Sequence, residues 1–295
     1  FVILVEHIFV SIRHMIMKNI LIPTDFSDNS WNAIKYALKF FENSTCNFYL
    51  LHVNSINNLV VSETTYVPTQ EVIQEVFVKP SKSQLNKILR GISTISKNDK
   101  HRFFTLTDYN YFIESIRKHV DEKKIDLIVM GTKGASGLKK LIIGSNTGDV
   151  ITKVHCSTLV VPENAKYKKP KEIAFPTDFS SFYSIDLLKP ISKIIDMHHA
   201  ALSVLHINKK GSKLNLDQQI NKESLLDYFS NINCGFFNIT NNHIEAAIQS
   251  FVEEKNVDMI TMVAKNLNYF QRILFHPTVQ EISYHTEIPF LVLHE

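Results

Sequence analysis

The chain has 295 residues, 44% hydrophobic and 21% charged, a balance that excludes a disordered or fibrous chain and, at roughly 100 to 200 residues per domain, predicts two domains. Its 32 Lys and Arg against 29 Asp and Glu leave a net charge of +3, too mild to announce a nucleic-acid groove, and the basic run KYKKPK at 166–171 reads as a solvated linker. Three cysteines imply no disulfide framework and favour a reducing, cytoplasmic setting, and no apolar run reaches the roughly 18 residues of a membrane-spanning helix.

The opening run FVILVEHIFVSI lacks the basic start and the small-residue cleavage site of a signal peptide. Residues 1–16 are therefore expected to be an upstream extension, with Met17 or Met15 as the functional start and a weak membrane address as the alternative. The apolar run at 19–22 predicts a first strand. Ser27 then stands as an N-cap before Trp31, Ile34, Leu38 and Phe41, whose spacing of three or four residues predicts an amphipathic helix. Residues 47–53 predict the second strand. The stretch from Asn54 to about Pro80 is polar and mixed, with Pro68 and Pro80 as breakers, and is expected to be a long loop with a short helix, placed to act as a lid. Strands follow at 101–106, 125–130 and 158–161, with a helix through Ile113, Ile116 and Val120 ahead of the fourth. The near-continuous apolar run LIVM suits a strand covered on both faces.

The second half runs through the same order, with strands at 172–175, 202–207, 236–239, 258–263 and 290–293. Helices are expected up to about Asp196, over 216–229, through Ile244, Ala247, Ile248 and Phe251, and briefly before the last strand. The two halves also echo each other in wording. ILIPTDFS returns as IAFPTDFS, FYLLHVN as LSVLHIN, DLIVMGTKG as DMITMVAKN and STLVVPE as PFLVLHE. Four echoes in one order mean an internal duplication. The expected domains are 17–163 and 171–295, joined by a linker at 164–170.

Five of the eight glycines, Gly131, Gly134, Gly137, Gly144 and Gly148, fall within eighteen residues between the strand DLIVM and a helix expected to begin near Ser145. Glycine lets backbone N–H groups approach a ligand, and a helix N-terminus turns free N–H groups and a positive dipole outward, so the pattern points to a phosphate cradle. Ser145 and Thr147 add hydroxyls, and Lys133, Lys139 and Lys140 add positive charge. The spacing is neither a Walker A loop nor a dinucleotide GxGxxG, and by itself stops at an anion, with phosphate favoured.

Gly131-x2-Gly134-x9-Gly144-Ser145 resembles the nucleotide-binding signature of the universal stress protein family, ATP-binding branch. LIPTDFSDNSWNAIKYA, LLHV and STLVVPE are similar to the family's first strand and helix, second strand and closing strand, and the likeness extends twice over from Met17 to Glu295. The resemblance implies an α/β fold of two tandem doubly wound, Rossmann-like domains, each with a five-stranded and mainly parallel sheet. It also implies that the closing strands pair internally, 157–162 with 289–293, to form a pseudo-dimer, which leaves a further homodimer open. An adenine-nucleotide pocket would lie at the carboxyl ends of strands one, two and four. Pro23, Thr24 and Asp25 would sit beside the adenosine, and Val53 would offer backbone groups to the adenine. Met130 and Gly131 would line the ribose, and Lys133, Gly134, Gly144, Ser145, Asn146 and Thr147 would hold the phosphates. Asn146 departs from the apolar residue expected there. The implied cofactor is ATP, with AMP or ADP as alternatives, together with Mg2+; the implied role is a stress-response sensor or regulator with an unidentified protein partner.

In the second half Val263, Asn266, His276 and Pro277 stand where Gly131, Gly134, Gly144 and Ser145 stand in the first, so this half is expected not to bind ATP in the same way. Asp178 survives in PTDFS without those partners and is expected to cap a helix, a role also open to Asp25. Thirteen histidines form no HExxH or Cys/His zinc spacing, and no GxSxG elbow is present. No general base is evident for a γ-phosphate, so no catalytic residue is assigned. A nucleotide-independent scaffold and a slow ATPase using Asp25 remain the competing function classes.

Overall fold

A computed structural model describes residues 18–55, 69–132, 144–208, 212–264 and 287–294. The first half contains β1 (Lys18–Pro23), α1 (Asp28–Phe40), β2 (Cys46–Ser55), α2 (Gln70–Val72), α3 (Lys79–Ile95), β3 (His101–Asn110), α4 (Phe112–Lys123), β4 (Leu127–Gly131), α5 (Ser145–Lys153) and β5 (Thr158–Val161). The second contains β6 (Glu172–Thr177), α6 (Ile185–His198), β7 (Ala201–Asn208), α7 (Leu216–Tyr228), β8 (Cys234–Thr240), α8 (Ile244–Lys255), β9 (Met259–Val263) and β10 (Phe290–Leu293).

All ten strands form one sheet in the order β3-β2-β1-β4-β5-β10-β9-β6-β7-β8, so each half repeats the doubly wound order 3-2-1-4-5 as a mirror of the other. Pairing is parallel within each half. The seam alone is antiparallel, with Phe290 opposite Val160, Leu291 opposite Leu159 and Val292 opposite Thr158, as expected for the internal pairing of closing strands. A β5 left at an edge would offer unpaired N–H and C=O groups to other chains, and β10 covers it.

Side-chain alternation along the strands assigns the layers. Ile20, Ile22, Phe48 and Leu50 face α1 and α3 in a core that continues across the seam through Leu159 and Leu291 to Phe175, Leu187 and Leu202. Leu21, Leu51 and Ile128 face the other way, against Ile116 of α4 and Val150 of α5. Ile151 of α5 joins the core under α8 with Phe290 and Val292. Each fully buried Ile or Leu contributes about 1.5 to 3 kcal/mol, so this shared core ties the halves into one body. Around it Phe40 meets His198 with ring centroids 4.5 Å apart, and Ser44 Oγ donates to Met197 Sδ at 3.1 Å.

Most of the expected loop, residues 56–68, lies outside the described residues; Asn54 and Ser55 extend β2, and the helix that follows is longer than expected, running from Gln70 to Ile95. Thr69 caps this run by accepting the Val72 N–H, a π-helical stretch (Ile73–Val78) follows, and Pro80 falls in the first turn of α3. Pro80 therefore follows directly on the π-helical stretch, whose wider turn accommodates the ring and the missing N–H within a continuing helical run. Leu85 and Ile92 bury the run against the sheet, and Gly91 lets the Trp31 ring lie close, since a Cβ would stand 3.1 Å from Trp31 Cη2.

Candidate functional site

The chain turns left from β1 to β2 and β3, then returns to β4 on β1's other side, which opens a crevice beyond the carboxyl ends of β1 and β4. Leu21 pairs with Ile128, and the register continued by three residues brings Gly131 level with Thr24. Pro23 is buried and pairs with Leu51. The strand pleat aims the N–H and C=O of Val53 the same way as those of Leu51, toward the space where β1 has ended. Met130 is 6% exposed and holds the floor.

The β1–α1 turn is built from TDFS. The buried Thr24 Oγ1 accepts the Phe26 N–H at 3.1 Å and lies 2.9 Å from Ser30 Oγ. Exposed Asp25 accepts the Ser27 N–H at 3.1 Å and the Ser27 hydroxyl at 2.6 Å through Oδ1. Phe26 takes φ 66, a left-handed conformation rare for a bulky residue, and its ring stacks on His52 at 4.3 Å. Because the Thr24 carbonyl only accepts, His52 Nδ1 carries the hydrogen in their 2.8 Å contact. Ser27, not Asp25, is the N-cap of α1, accepting from Ser30 N–H.

The second half reproduces this turn. Asp178 accepts the Ser180 N–H at 3.0 Å, Phe179 has φ 58 and stacks on His206 at 5.0 Å, and His206 Nδ1 donates to the Thr177 carbonyl at 3.0 Å. The expected capping role of Asp178 is thereby corrected: Ser184 caps α6, and the carboxylate orders the turn ahead of it.

The two halves part at the end of the fourth strand. A Cβ on Gly131 would lie 2.8 Å from Asn29 Cγ, so the Asn29 side chain, in the first turn of α1, fills the place that a larger residue at the end of β4 would take. Val263 occupies the corresponding place at the end of β9, and α6 begins four residues later, relative to Ser180, than α1 does relative to Ser27. Asn29 was not foreseen, because its role depends on a contact a hundred residues away; its place in the first turn after TDFS was the available signal.

Gly144 is the N-cap of α5 and supplies no side-chain cap, whereas Ser27, Ser184 and Asn215 cap α1, α6 and α7 with side chains. The first intrahelical bond runs from Gly148 N–H to the Gly144 carbonyl, which leaves the N–H groups of Ser145, Asn146 and Thr147 directed out of the helix end. Ser145 and Asn146 are exposed. Thr147 is 3% exposed, and its hydroxyl donates to the Gly131 carbonyl at 2.8 Å, locking the helix start to the strand end. Gly144 N–H donates to the Thr132 carbonyl at 2.5 Å, closing the base of the connection. Thus Pro23, Thr24, Asp25, Met130, Gly131, Gly144, Ser145, Asn146 and Thr147 gather at the carboxyl ends of β1 and β4 and the start of α5, with Val53 on neighbouring β2, while Lys133 and Gly134 lie outside the described residues. Residues 1–17 and the positions Asn266, His276 and Pro277 lie outside them as well. A separate cavity of about 870 Å³, beside Lys39, Lys100 and Tyr167 at the amino ends of β2 and β3, includes none of these residues.

Known proteins resemble the chain in both sequence and fold. A profile described as the Universal stress protein family matches residues 17–162. Universal stress protein MJ0531 of Methanocaldococcus jannaschii is 31% identical over 157 residues, covering 52% of this chain and 84% of that protein. Universal stress protein YxiE of Bacillus subtilis is 29% identical over 147 residues, 49% of this chain and 98% of that one. The crystal structure of a universal stress protein from Archaeoglobus fulgidus covers 94% of this chain and 96% of its own, with a TM-score of 0.65 at 18% identity, a likeness of fold. With the repeated doubly wound sheet, these matches lead to one conclusion: the chain belongs to the universal stress protein family.

Proposed function

We propose that the first half, residues 17–163, is a domain that binds ATP and works as a nucleotide-dependent sensor or regulator, joined through a linker at 164–170 to a second domain, 171–295, that keeps the fold without the cradle. The observation that carries this reading is the pairing of a side-chain-free cap at Gly144 with the glycine at position 131, where a Cβ would collide with Asn29. Both leave backbone where side chains would otherwise stand, at one end of one crevice.

The residues suit a nucleotide in chemical detail. N–H groups of Ser145, Asn146 and Thr147, with the α5 dipole, would meet the phosphates, helped by Lys133 and Gly134. Val53 backbone groups would meet the adenine edge, Met130 and Gly131 the ribose, and the turn of Pro23, Thr24 and Asp25 the adenosine. Among the described residues no three His, Cys, Asp or Glu side chains gather as a metal site, so Mg2+ would ride on the phosphates themselves. AMP and ADP fit the same groups with fewer phosphate contacts. The Asp25 carboxylate is engaged in ordering its turn, which favours binding over turnover. A cytoplasmic setting suits thiols that form no disulfide at Cys46, Cys156 and Cys234, and among the described residues no helix is long and apolar enough to cross a membrane.

Releasing and identifying the nucleotide from purified, denatured protein tests the reading. About one adenine nucleotide per chain, lost in Gly144→Val, is the expected result. Two per chain would contradict the account of the second half, and none, with no heat on ATP titration, would replace nucleotide sensing with a nucleotide-independent scaffold.

A further inference from the structure

Among the described residues the methionines divide by burial. Met130 is 6% exposed, Met259 0% and Met262 2%, whereas Met197, in the last turn of α6, is only half-buried. Its sulfur is held from the other half of the chain. Ser44, between α1 and β2, donates its hydroxyl to Met197 Sδ at 3.1 Å, and Lys18, at the start of β1, donates from Nζ at 3.5 Å. The Lys18 ammonium is itself anchored, 5.2 Å from the centre of the Phe41 ring. Burial lowers its pKa from the ordinary lysine value, so it gives up a proton more readily than an exposed lysine does.

A thioether is a weak acceptor, and two donors gain little from it. An oxygen on that sulfur would give both a strong partner. We infer that Met197 is an oxidation site, converted by hydrogen peroxide to a sulfoxide whose oxygen is held by Lys18 beside Ser44, across the join between the two halves. In the reaction a sulfur lone pair attacks the near oxygen of the peroxide, an S–O bond forms and the O–O bond breaks. The far oxygen leaves with the bonding pair and takes a proton from the Lys18 ammonium, and the Lys18 amine recovers one from the oxygen now on sulfur. The sulfur is oxidised by two electrons, the peroxide is reduced to water, and Lys18 ends as it began. Ser44 holds the sulfur at the shorter distance, so the longer contact of the flexible Lys18 is the one that opens to peroxide. Oxygen then enters from one side and a single sulfoxide epimer results.

Timed exposure of the intact protein to hydrogen peroxide, followed by digestion and mass spectrometry, tests the inference. Met197 should be oxidised at least about tenfold faster than Met130, Met259 and Met262. Each sulfoxide reductase acts on one epimer, so one of the pair should restore the digested Met197 peptide and the other should leave it oxidised. Lys18→Leu removes the donor and should slow oxidation of Met197 about threefold or more and yield both epimers. Lys18→Arg keeps a donor on a similar stem and should preserve the single epimer, which tells loss of the donor apart from loss of the fold. Oxidation of Met197 no faster than that of the three buried methionines, an even mixture of epimers in the unaltered protein, or an unchanged rate and epimer in Lys18→Leu would each overturn the assignment.

Discussion

The two halves carry the same turn and different strand ends. TDFS folds identically after β1 and after β6, with the phenylalanine at positive φ and a strand histidine stacked beneath it, although the second half has Val263 in place of Gly131. The turn is therefore a requirement of the fold, and Asp25 alone says little about a ligand. What separates the halves is the pair of places where backbone is left bare: Gly131 under Asn29, and Gly144 at the start of α5. Loss of those glycines accompanies a later helix start and, among the described residues, a shorter helix over β7 and β8.

The largest expected effect tests whether the halves are one body. Leu291 is fully buried at the seam, and Leu291→Ala should destabilise the protein by about 3 kcal/mol in a single urea transition seen by both halves. Two separate transitions would show that the shared core does not couple them. Next, Gly131→Val imports the second half's residue into the first. With its Cβ 2.8 Å from Asn29, ATP binding measured by calorimetry should fall at least about 100-fold, or about 2.7 kcal/mol. Retained affinity would mean that the close approach of α1 to β4 has no part in nucleotide binding.

The seam also has a titrating group that only the second half contributes. Burial, followed by Lys169, Lys18 and His199, pushes His198 down to about 4, and its ring lies against Phe40 of the first half. In the unfolded chain the same imidazole protonates near pH 6.5, so between these values the unfolded state holds more protons. Stability present above pH 6.5 is therefore lost as pH falls toward 4, by about 2 kcal/mol after allowance for solvent screening. Thermal melts across that window should show the slope, and His198→Phe should make it shallower without removing it, because burial also holds His101 and His294 below the usual imidazole value; an unchanged slope would assign the acid sensitivity elsewhere. The smallest effect separates turn from ligand. Asp25→Ala and Asp178→Ala should each cost about 1 kcal/mol of stability for the lost turn bonds, and only Asp25→Ala should also weaken ATP. Equal ATP affinity in both variants would confine Asp25 to the turn.

Most of the fold was legible because strands such as 19–22 and 127–131 are short apolar runs and Ser27 precedes a helical period, signals that depend on neighbours in the chain. The run from Gln70 to Ile95 was not, since Pro80 argues locally for a break and the π-helical stretch that precedes it inside the run leaves no signal in the residue pattern. The glycine spacing pointed to an anion because bare backbone is a local property. Asn29 over Gly131 and Thr147 on the Gly131 carbonyl were invisible for the opposite reason.

By itself the sequence determined the duplication, the alternation of strand and helix, and the loss of glycines from one copy, since each is written in residues a few places apart. Tertiary structure alone decided that the Asn29 side chain lies over Gly131 and that Thr147 locks the start of α5 to the end of β4. Those outcomes depend on how far one side chain stands from another across a sheet, a distance set by packing rather than by order along the chain.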